Sequence, residues 1–588
     1  MDKQEEKEAY DTTKNCSTMD SEDCKLHIVM YPWLAFGHMI PFLELAKTIS
    51  QKGHRVSFIS TPRNIDRLPK LPPNLVPLIN FVKLPLPPVE NLPENAEATN
   101  DIPSNKDPYL KVAFDGLQDP ITRFLETSDP DWVVYDLAYW LCPIAAKLGV
   151  SCAFFSVFTA SSISFGGLPT SSAVMDGGDG DPRREPEHFT VPPSWVPFPT
   201  NVAMRLYEAK KIFRLMGKNV SNVSGVSDMF RFKSAVTGCD VFSLRSCLEV
   251  EPEWLNLLGE IQSKPVFPVG LLPLTVQDSG DEKDETWRRI SEWLNKHDKG
   301  SVVYVGLGSE VRPTQDEFTE LALGLELSGL PFFWALRKPP HSDEYDPVEL
   351  PGGFKDRTKG RGIVWTSWAP QLRILAHDSV GGFLTHCGWS SIIEALQFGR
   401  ALIMLPLWGD QGLNARVFEE KEVGIGVPRD EEDGSFTRKS IAESLKLVMV
   451  DEEGKIYRDK AKEMKKIFGD KERQSQYIDD FVECLKKHRP NRKGTVRLPK
   501  LEGNFVLIRS IINAIFIFRS KIKSAGKSKA KLNPLINLDK LPLPRVDNLP
   551  ENAEATIDVP SNKDPYLKVA FNGLHDPIAQ FLQTSDPD

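Results

Sequence analysis

Apolar positions along the chain alternate between two periods. LHIVM (26–30) is a continuous apolar run with the length of a buried strand. A loop with Gly37 and His38 follows, and then Phe42, Leu45, Ala46 and Ile49 recur at three- and four-residue spacing. That spacing predicts a helix, which Gly53 stops. RVSFIS (55–60) is strand-like again. Strand, helix and strand in about 35 residues form a βαβ unit and imply a parallel sheet. WVVYD (132–136), CAFFSV (152–157) and DVFSL (240–244) extend the sheet. Proline-rich stretches at 68–108 and 168–200 show neither period and read as segments lining a cleft.

A second α/β series begins at SVVYVGLGS (301–309). It continues through PFFWALR (331–337), GIVWTSW (362–368), GGFLTHC (381–387) and ALIMLP (401–406). The acidic stretch LPLTVQDSGDEKDE (272–285) separates the two series and lacks apolar periodicity. The pattern divides the chain into an acidic tail (1–24), a first α/β domain (25–262), a linker (263–285), a second α/β domain (286–470), a terminal helix (471–490) and a tail (491–588). Two doubly wound domains in tandem place a ligand cleft at the carboxyl ends of their strands.

Composition narrows the class. A chain of 588 residues is too long for one core, and 40% hydrophobic with 26% charged residues is ordinary globular composition. A net charge of −9 argues against a general nucleic-acid binder. No apolar run reaches the roughly 18 residues of a membrane span. Residues 1–24 carry eight acids against three lysines and no signal-peptide core. The eight cysteines are scattered without CxxC and read as reduced thiols of a cytoplasmic protein.

The tail holds an internal repeat. Residues 534–588 match 77–131 at 44 of 55 positions without a gap. The copy reads as loop and helix that cannot complete a core, a remnant of tandem duplication or a faulty exon join. The alternative is a regulatory or membrane-touching tail. Residues 491–533 hold eleven Lys/Arg, one acid and the apolar segment FVLIRSIINAIFIF (505–518).

The strongest chemical signal is the 44-residue stretch WAPQLRILAHDSVGGFLTHCGWSSIIEALQFGRALIMLPLWGDQ (368–411). Trp368 at a strand end can stack a flat base. Gln371 offers an amide to a base or ribose edge. THCGWSS (385–391) joins a strand to a helix whose N-terminus suits a diphosphate. Gly388 permits close backbone approach, and His386 adds a donor. Glu394 lies one turn into that helix, where a carboxylate can accept two ribose hydroxyls. Asp410 and Gln411 suit hexose hydroxyls. Taken singly, Trp368, Trp389 and Glu394 read equally well as packing or surface residues; the ordered set does not.

His38 follows the first strand at the cleft end of the sheet, and a neutral imidazole there can take a proton from a hydroxyl. Asp136 ends WVVYD on the same edge and can orient it, in the manner of a triad whose nucleophile is the substrate. Spacing alone leaves a capping or packing histidine open. Gly306-Leu307-Gly308 follows a strand, but Val311 stands where a third glycine would fall, so a nicotinamide fingerprint is disfavoured. There is no HExxH, no clustered Cys/His set and no GxSxG elbow, so neither metal nor nucleophilic catalysis is expected.

The 368–411 stretch resembles the donor signature of plant family 1 UDP-glycosyltransferases, in length, first Trp, HCGW, Glu and final Asp-Gln. The resemblance spans about 25–490. One departure is Ser390, where many members carry Asn. Ser there, with YPWLAFGHMIPFLELAKTIS and FISTPRNIDRLP, is similar to the subgroup that extends existing glycosides. The resemblance implies an α/β GT-B fold of two facing Rossmann-like domains, with acceptor in the first and UDP-sugar in the second. It also implies that the terminal helix packs back on the first domain. It assigns His38 and Asp136 to catalysis. It assigns Ser309, Ser367, Trp368, Ala369, Gln371, His386, Gly388, Trp389, Ser390, Ser391, Glu394, Trp408, Gly409, Asp410 and Gln411 to the UDP-sugar. The UDP-sugar is a co-substrate, and no cofactor or metal is expected. The implied reaction is inverting transfer of glucose or rhamnose to a flavonoid or terpenoid glycoside in the cytoplasm. The alternatives are glucosylation of plain aglycones and a catalytically silent sugar-nucleotide binder.

Overall fold

The computed structural model describes residues 25–167, 183–216, 223–262, 264–276, 285–308, 313–336 and 349–489. The acidic tail, the loop residue Ser309, and the basic segment with its repeat lie outside the described residues.

The first sheet has seven strands in the order β3-β2-β1-β4-β5-β6-β7, all parallel. They are β1 (His27–Tyr31), β2 (Arg55–Ser60), β3 (Ile79–Lys83), β4 (Trp132–Tyr135), β5 (Ser151–Ser156), β6 (Val241–Leu244) and β7 (Val266–Pro268). The second has six, again all parallel, in the order β10-β9-β8-β11-β12-β13. They are β8 (Val302–Gly306), β9 (Phe332–Ala335), β10 (Gly362–Trp365), β11 (Val380–Thr385), β12 (Ala401–Met404) and β13 (Gly424–Gly426). Parallel strands buried on both faces need continuous apolar sequence. Ile28–Tyr31 and Val302–Gly306 are buried throughout.

Strands β3, β7 and β13 escape the sequence pattern. β3 lies within 68–108, the stretch read as irregular, and only Ile79 of its five residues is buried. It is an edge strand, so one face and one rim meet water and the apolar run never develops. The original of the repeat, 77–131, therefore holds an edge strand as well as helices, while the copy lies outside the described residues. β7 falls inside 263–285, and β13 is three residues with two glycines.

The helices follow local rules. α1 (Phe36–Gln51) buries Met39, Phe42, Leu43, Leu45, Ala46 and Ile49 against the first sheet and ends before Gly53, φ +87°. α2 (Ala160–Gly166) and α3 (Leu206–Met216) follow on the first sheet's side. On the second side, α4 (Gln315–Ser328) opens with a capping box. Thr314 Oγ1 accepts from Glu317 N at 3.3 Å, and Thr314 N donates to Glu317 Oε2 at 2.8 Å. α5 (Gln371–Ala376), α6 (Trp389–Leu396), α7 (Gln411–Glu420), α8 (Arg438–Met449) and α9 (Lys455–Phe468) are further helices of that side. The last helix, α10 (Lys471–Lys487), packs on the first sheet. Trp132, wholly buried in β4, donates its indole N–H to Leu485 O at 3.0 Å, and Arg489 Nε donates to Asp131 Oδ1 at 2.8 Å.

Strand order fixes where ligands can sit. In the first sheet the chain runs outward from β1 to β3 and then returns beside β1 with β4. In the second it does the same with β8 and β11. Each reversal leaves a crevice beyond the carboxyl ends of the two central strands, the usual ligand position in open α/β sheets.

Candidate active site

At the first crevice, β1 leads into α1 and places His38 in the first helical turn, while β4 ends at Asp136. Ninety-eight residues of chain separate them, yet His38 Nδ1 lies 2.6 Å from Asp136 Oδ2. The Asp136 side chain is 3% exposed and His38 14%. The other carboxylate oxygen accepts from Trp33 N at 2.8 Å and Leu137 N at 2.6 Å. Three hydrogen bonds thus fix the buried side chain as an acceptor in one orientation. With Nδ1–H donated to Asp136, His38 Nε2 carries the lone pair and makes no hydrogen bond among the described residues. Phe158, after β5, packs edge-on against the ring at 5.8 Å between centroids.

At the second crevice, Trp368 is 64% exposed and Trp408 41%, with Lys211 Nζ over the Trp408 ring at 5.6 Å. Ser367 beside Trp368 is exposed and Ala369 buried. Gln371, first residue of α5, ties three elements together. Its Oε1 accepts from Tyr304 OH at 3.2 Å, and its Nε2 donates to Glu394 Oε2 at 2.8 Å and Ser391 Oγ at 3.4 Å. Gln371, Ser391 and Glu394 are therefore one hydrogen-bonded group spanning β8, α5 and α6.

His386 follows β11 directly and sits between two glycines. A Cβ on Gly388 would stand 2.6 Å from its Nε2, and one on Gly308 2.8 Å. Any side chain at either place would displace the ring. Burial pulls the imidazole down to about 4, against a smaller upward pull from the Gly306 carbonyl, so the ring is neutral at pH 7. Its Nδ1 is sealed from solvent and finds no partner among the described residues.

Trp389 turns its ring into the core, and Ser390 is half-buried against Arg245. Trp389 is 4% exposed, packs against Phe418 and Phe468, and donates Nε1–H to Arg245 O at 2.7 Å. What Trp389 offers to the crevice is its backbone, not its ring. Ser390 Oγ accepts from Arg245 Nη1 at 2.6 Å. Asp410 caps α7 and accepts from Asn414 Nδ2 at 2.9 Å. Gln411 Oε1 accepts from Leu407 N and Trp408 N, both at 2.9 Å, which fixes the loop around Gly409 (φ +65°).

Two residues that the sequence did not single out join the halves. Asn414 is wholly buried and uses its amide fully. It donates to Asp410 and to Cys387 O at 3.1 Å, and accepts from Thr159 Oγ1 at 3.0 Å and Ser162 Oγ at 3.3 Å. Arg245 does the corresponding work opposite α6. It follows DVFSL at the sheet's carboxyl edge, so the positional argument that picks Asp136 also points to it. A cavity of about 530 Å³ lies elsewhere, between residues 187–206 and α7. Arg416 pairs with Glu419 at 2.5 Å and Arg205 with Glu431 along its wall, and none of the site residues above lines it.

Among the described residues no group of three His, Cys, Asp or Glu is placed to hold a metal ion, and no helix is long and apolar enough to cross a membrane.

Comparison with known proteins places the chain. The family model of UDP-glucoronosyl and UDP-glucosyl transferases matches residues 226–482. UDP-glycosyltransferase 91A1 of Arabidopsis thaliana is 52% identical over 479 residues, covering 81% of this chain and 100% of its own length. An anthocyanidin-3-O-glucoside rhamnosyltransferase of Petunia hybrida is 36% identical, covering 78% and 95%. In structure, a UDP-glucosyltransferase from Polygonum tinctorium capable of glucosylating indoxyl superposes with a TM-score of 0.61 at 25% identity, covering 79% of this chain and 99% of that one. With such identity over nearly the full length of these relatives, and two parallel Rossmann-like sheets in the GT-B manner, the chain belongs to the plant family 1 UDP-glycosyltransferases, enzymes that use a UDP-sugar donor and a small-molecule acceptor.

Proposed function

We propose that this enzyme transfers glucose or rhamnose from UDP, with inversion, to a sugar hydroxyl of a flavonoid or terpenoid glycoside. The observation that carries the reading is the 2.6 Å contact between His38 and Asp136 at the first crevice. The acceptor O–H gives its proton to His38 Nε2 as its oxygen bonds to the anomeric carbon. The bond from that carbon to the β-phosphate oxygen breaks, and UDP leaves with the electron pair. Asp136 stabilises the imidazolium and holds its orientation.

In this reading the UDP-sugar lies along the second crevice. Trp368 stacks the base, with Ser367 and Ala369 at its edge, and Gln371 and Glu394 take the base and ribose side. Ser309, His386, Gly388, Trp389, Ser390 and Ser391 surround the diphosphate, Trp389 through its backbone. Trp408, Gly409, Asp410 and Gln411 meet the hexose. The neutral His386 and the free N–H groups of α6 supply hydrogen bonds to anionic oxygens. A glycoside acceptor is favoured by the likeness to an anthocyanidin-3-O-glucoside rhamnosyltransferase. The six described cysteines are all unpaired and buried, in keeping with a reducing cytoplasm.

The test is incubation of the full chain with flavonoid and terpenoid aglycones and their monoglucosides, with UDP-glucose and UDP-rhamnose supplied separately and products read by mass. A sugar-sized gain on the glycosides alone, lost in His38→Ala, is expected. Transfer to aglycones alone would sink the glycoside reading, and UDP binding without any transfer would indicate a silent binder.

A further inference from the structure

Arg245 presents an electrostatic imbalance. Its side chain is 2% exposed. Nε donates to Leu271 O at 2.7 Å, Nη2 to Leu272 O at 3.2 Å and Nη1 to Ser390 Oγ at 2.6 Å. All three acceptors are neutral. Among the described residues no carboxylate hydrogen-bonds to it; Glu394 and Glu44 act only through space. Burial draws the guanidinium down to about 10, so it remains charged at pH 7. A buried cation without a bonded anion is costly, and buried charges in proteins are ordinarily paired.

Its position adds to the cost. Ser390 is the second residue of α6, so Arg245 stands at the positive end of a helix dipole. The cradle is itself strained. Leu272 adopts φ +49°, and the Leu271 N–H is held by Gln474 Oε1 of α10 at 2.5 Å. The arrangement holds a cation against a helix N-terminus. A guanidinium has five N–H donors, of which three are spent here. The missing partner is an anion.

We propose that Arg245 is a positioning residue for the nucleoside diphosphate, supplied by the first sheet to the donor crevice of the second. It occupies the acceptor side of the Ser390 hydroxyl, which leaves that O–H to donate to a phosphate oxygen. Its charge adds to the α6 dipole, so binding of the diphosphate relieves a buried, unpaired cation and draws the two sheets together. This inference rests on the donor reading above.

The test is calorimetric titration of the full chain with UDP and, separately, with uridine, which shares the base and ribose but has no phosphate. Arg245→Met is expected to weaken UDP roughly tenfold or more while leaving uridine unchanged. Arg245→Lys, which keeps the charge, recovers part of the loss. Ser390→Ala weakens UDP less, and the double variant falls short of the sum, as residues in one network do. In turnover, Arg245→Met raises KM for the UDP-sugar more than it lowers kcat. Equal losses for UDP and uridine, or an unchanged UDP affinity, would overturn the proposal. If Arg245→Met does not fold, Arg245→Lys and Ser390→Ala still decide it through the ratio of UDP to uridine affinity. Glu394→Ala separates the two levels: if it weakens neither ligand, the donor reading fails, whatever Arg245 does.

Discussion

The two crevices are built on the same topology and equipped oppositely. Each lies where a parallel sheet reverses its winding, between β1 and β4 in one and β8 and β11 in the other. Each has a histidine just beyond the central strand. His38 is bonded to a buried carboxylate that three donors hold in place. His386 is bonded to no carboxylate, is wedged between glycines, and is kept neutral by burial. In the proposed reading the difference follows from what each crevice does. A base that receives a proton during the reaction needs a counter-charge ready to stabilise the imidazolium. A group that only donates hydrogen bonds to phosphate gains from staying in one protonation state. In the proposed reading the anionic donor is met by dipoles and one buried guanidinium, and the acceptor by an imidazole that a carboxylate orients.

Removing the base breaks the comparison most severely. His38→Ala is expected to lower kcat by about 10²–10⁴-fold, the usual worth of a positioned general base, with UDP affinity unchanged. Asp136→Asn keeps the shape but loses the charge, and its kcat should fall by a smaller factor of the same kind. Product formation under donor saturation measures both. A loss of UDP binding in either variant would show that the crevices are not separate in function. Next in size is Glu394→Ala, which removes the carboxylate that Gln371 holds at 2.8 Å. KM for the UDP-sugar should rise about ten- to a hundredfold, the value of a hydrogen bond to a charged group, with kcat changed much less. An equal fall in kcat would assign Glu394 to the chemical step.

The crevices also differ in how much of each can be read from sequence. The second is nearly contiguous: from Trp368 to Gln411 a strand end, a turn, a helix start and a second turn follow one another, and chain order preserves spatial order. The first assembles His38 and Asp136 from positions 98 residues apart. It is legible only because both follow apolar strands, and strand ends gather at one edge of a parallel sheet. Central strands announce themselves by unbroken apolar runs, whereas β3, β7 and β13 at the rims are short or half-wet and do not. Contacts between the halves left no periodic trace. Arg245 reaching Ser390, and Asn414 accepting from Thr159 and Ser162, depend on side chains meeting across about 150 and 250 residues of chain. Trp389 marks the opposite limit: it sits inside a ligand signature, yet its ring is core.

The smallest effect sharpens the contrast between histidines by pH. His54, in the turn between α1 and β2, is 4% exposed, and its Nδ1 accepts from Leu26 N at 3.0 Å. Accepting there requires the neutral ring. Burial pulls it from 6.5 down to about 4, with the charge of Lys486 adding to the pull. The unfolded chain therefore binds this proton more readily than the folded one. The stabilisation is complete above pH 6.5 and is lost as pH falls from there toward 4. At pH 5 the loss from this one group is about 1–2 kcal/mol. His54→Asn retains an acceptor and cannot titrate. It is expected to lower Tm somewhat at pH 7 but to lose roughly 2 °C less than the parent between pH 7 and pH 5. Adding His386→Asn should flatten the same interval again and also weaken UDP, which His54→Asn leaves alone. Parallel slopes in parent and His54→Asn would mean that the buried ring accepts its proton without cost, and neutrality by burial would then fail as the account of His386 as well.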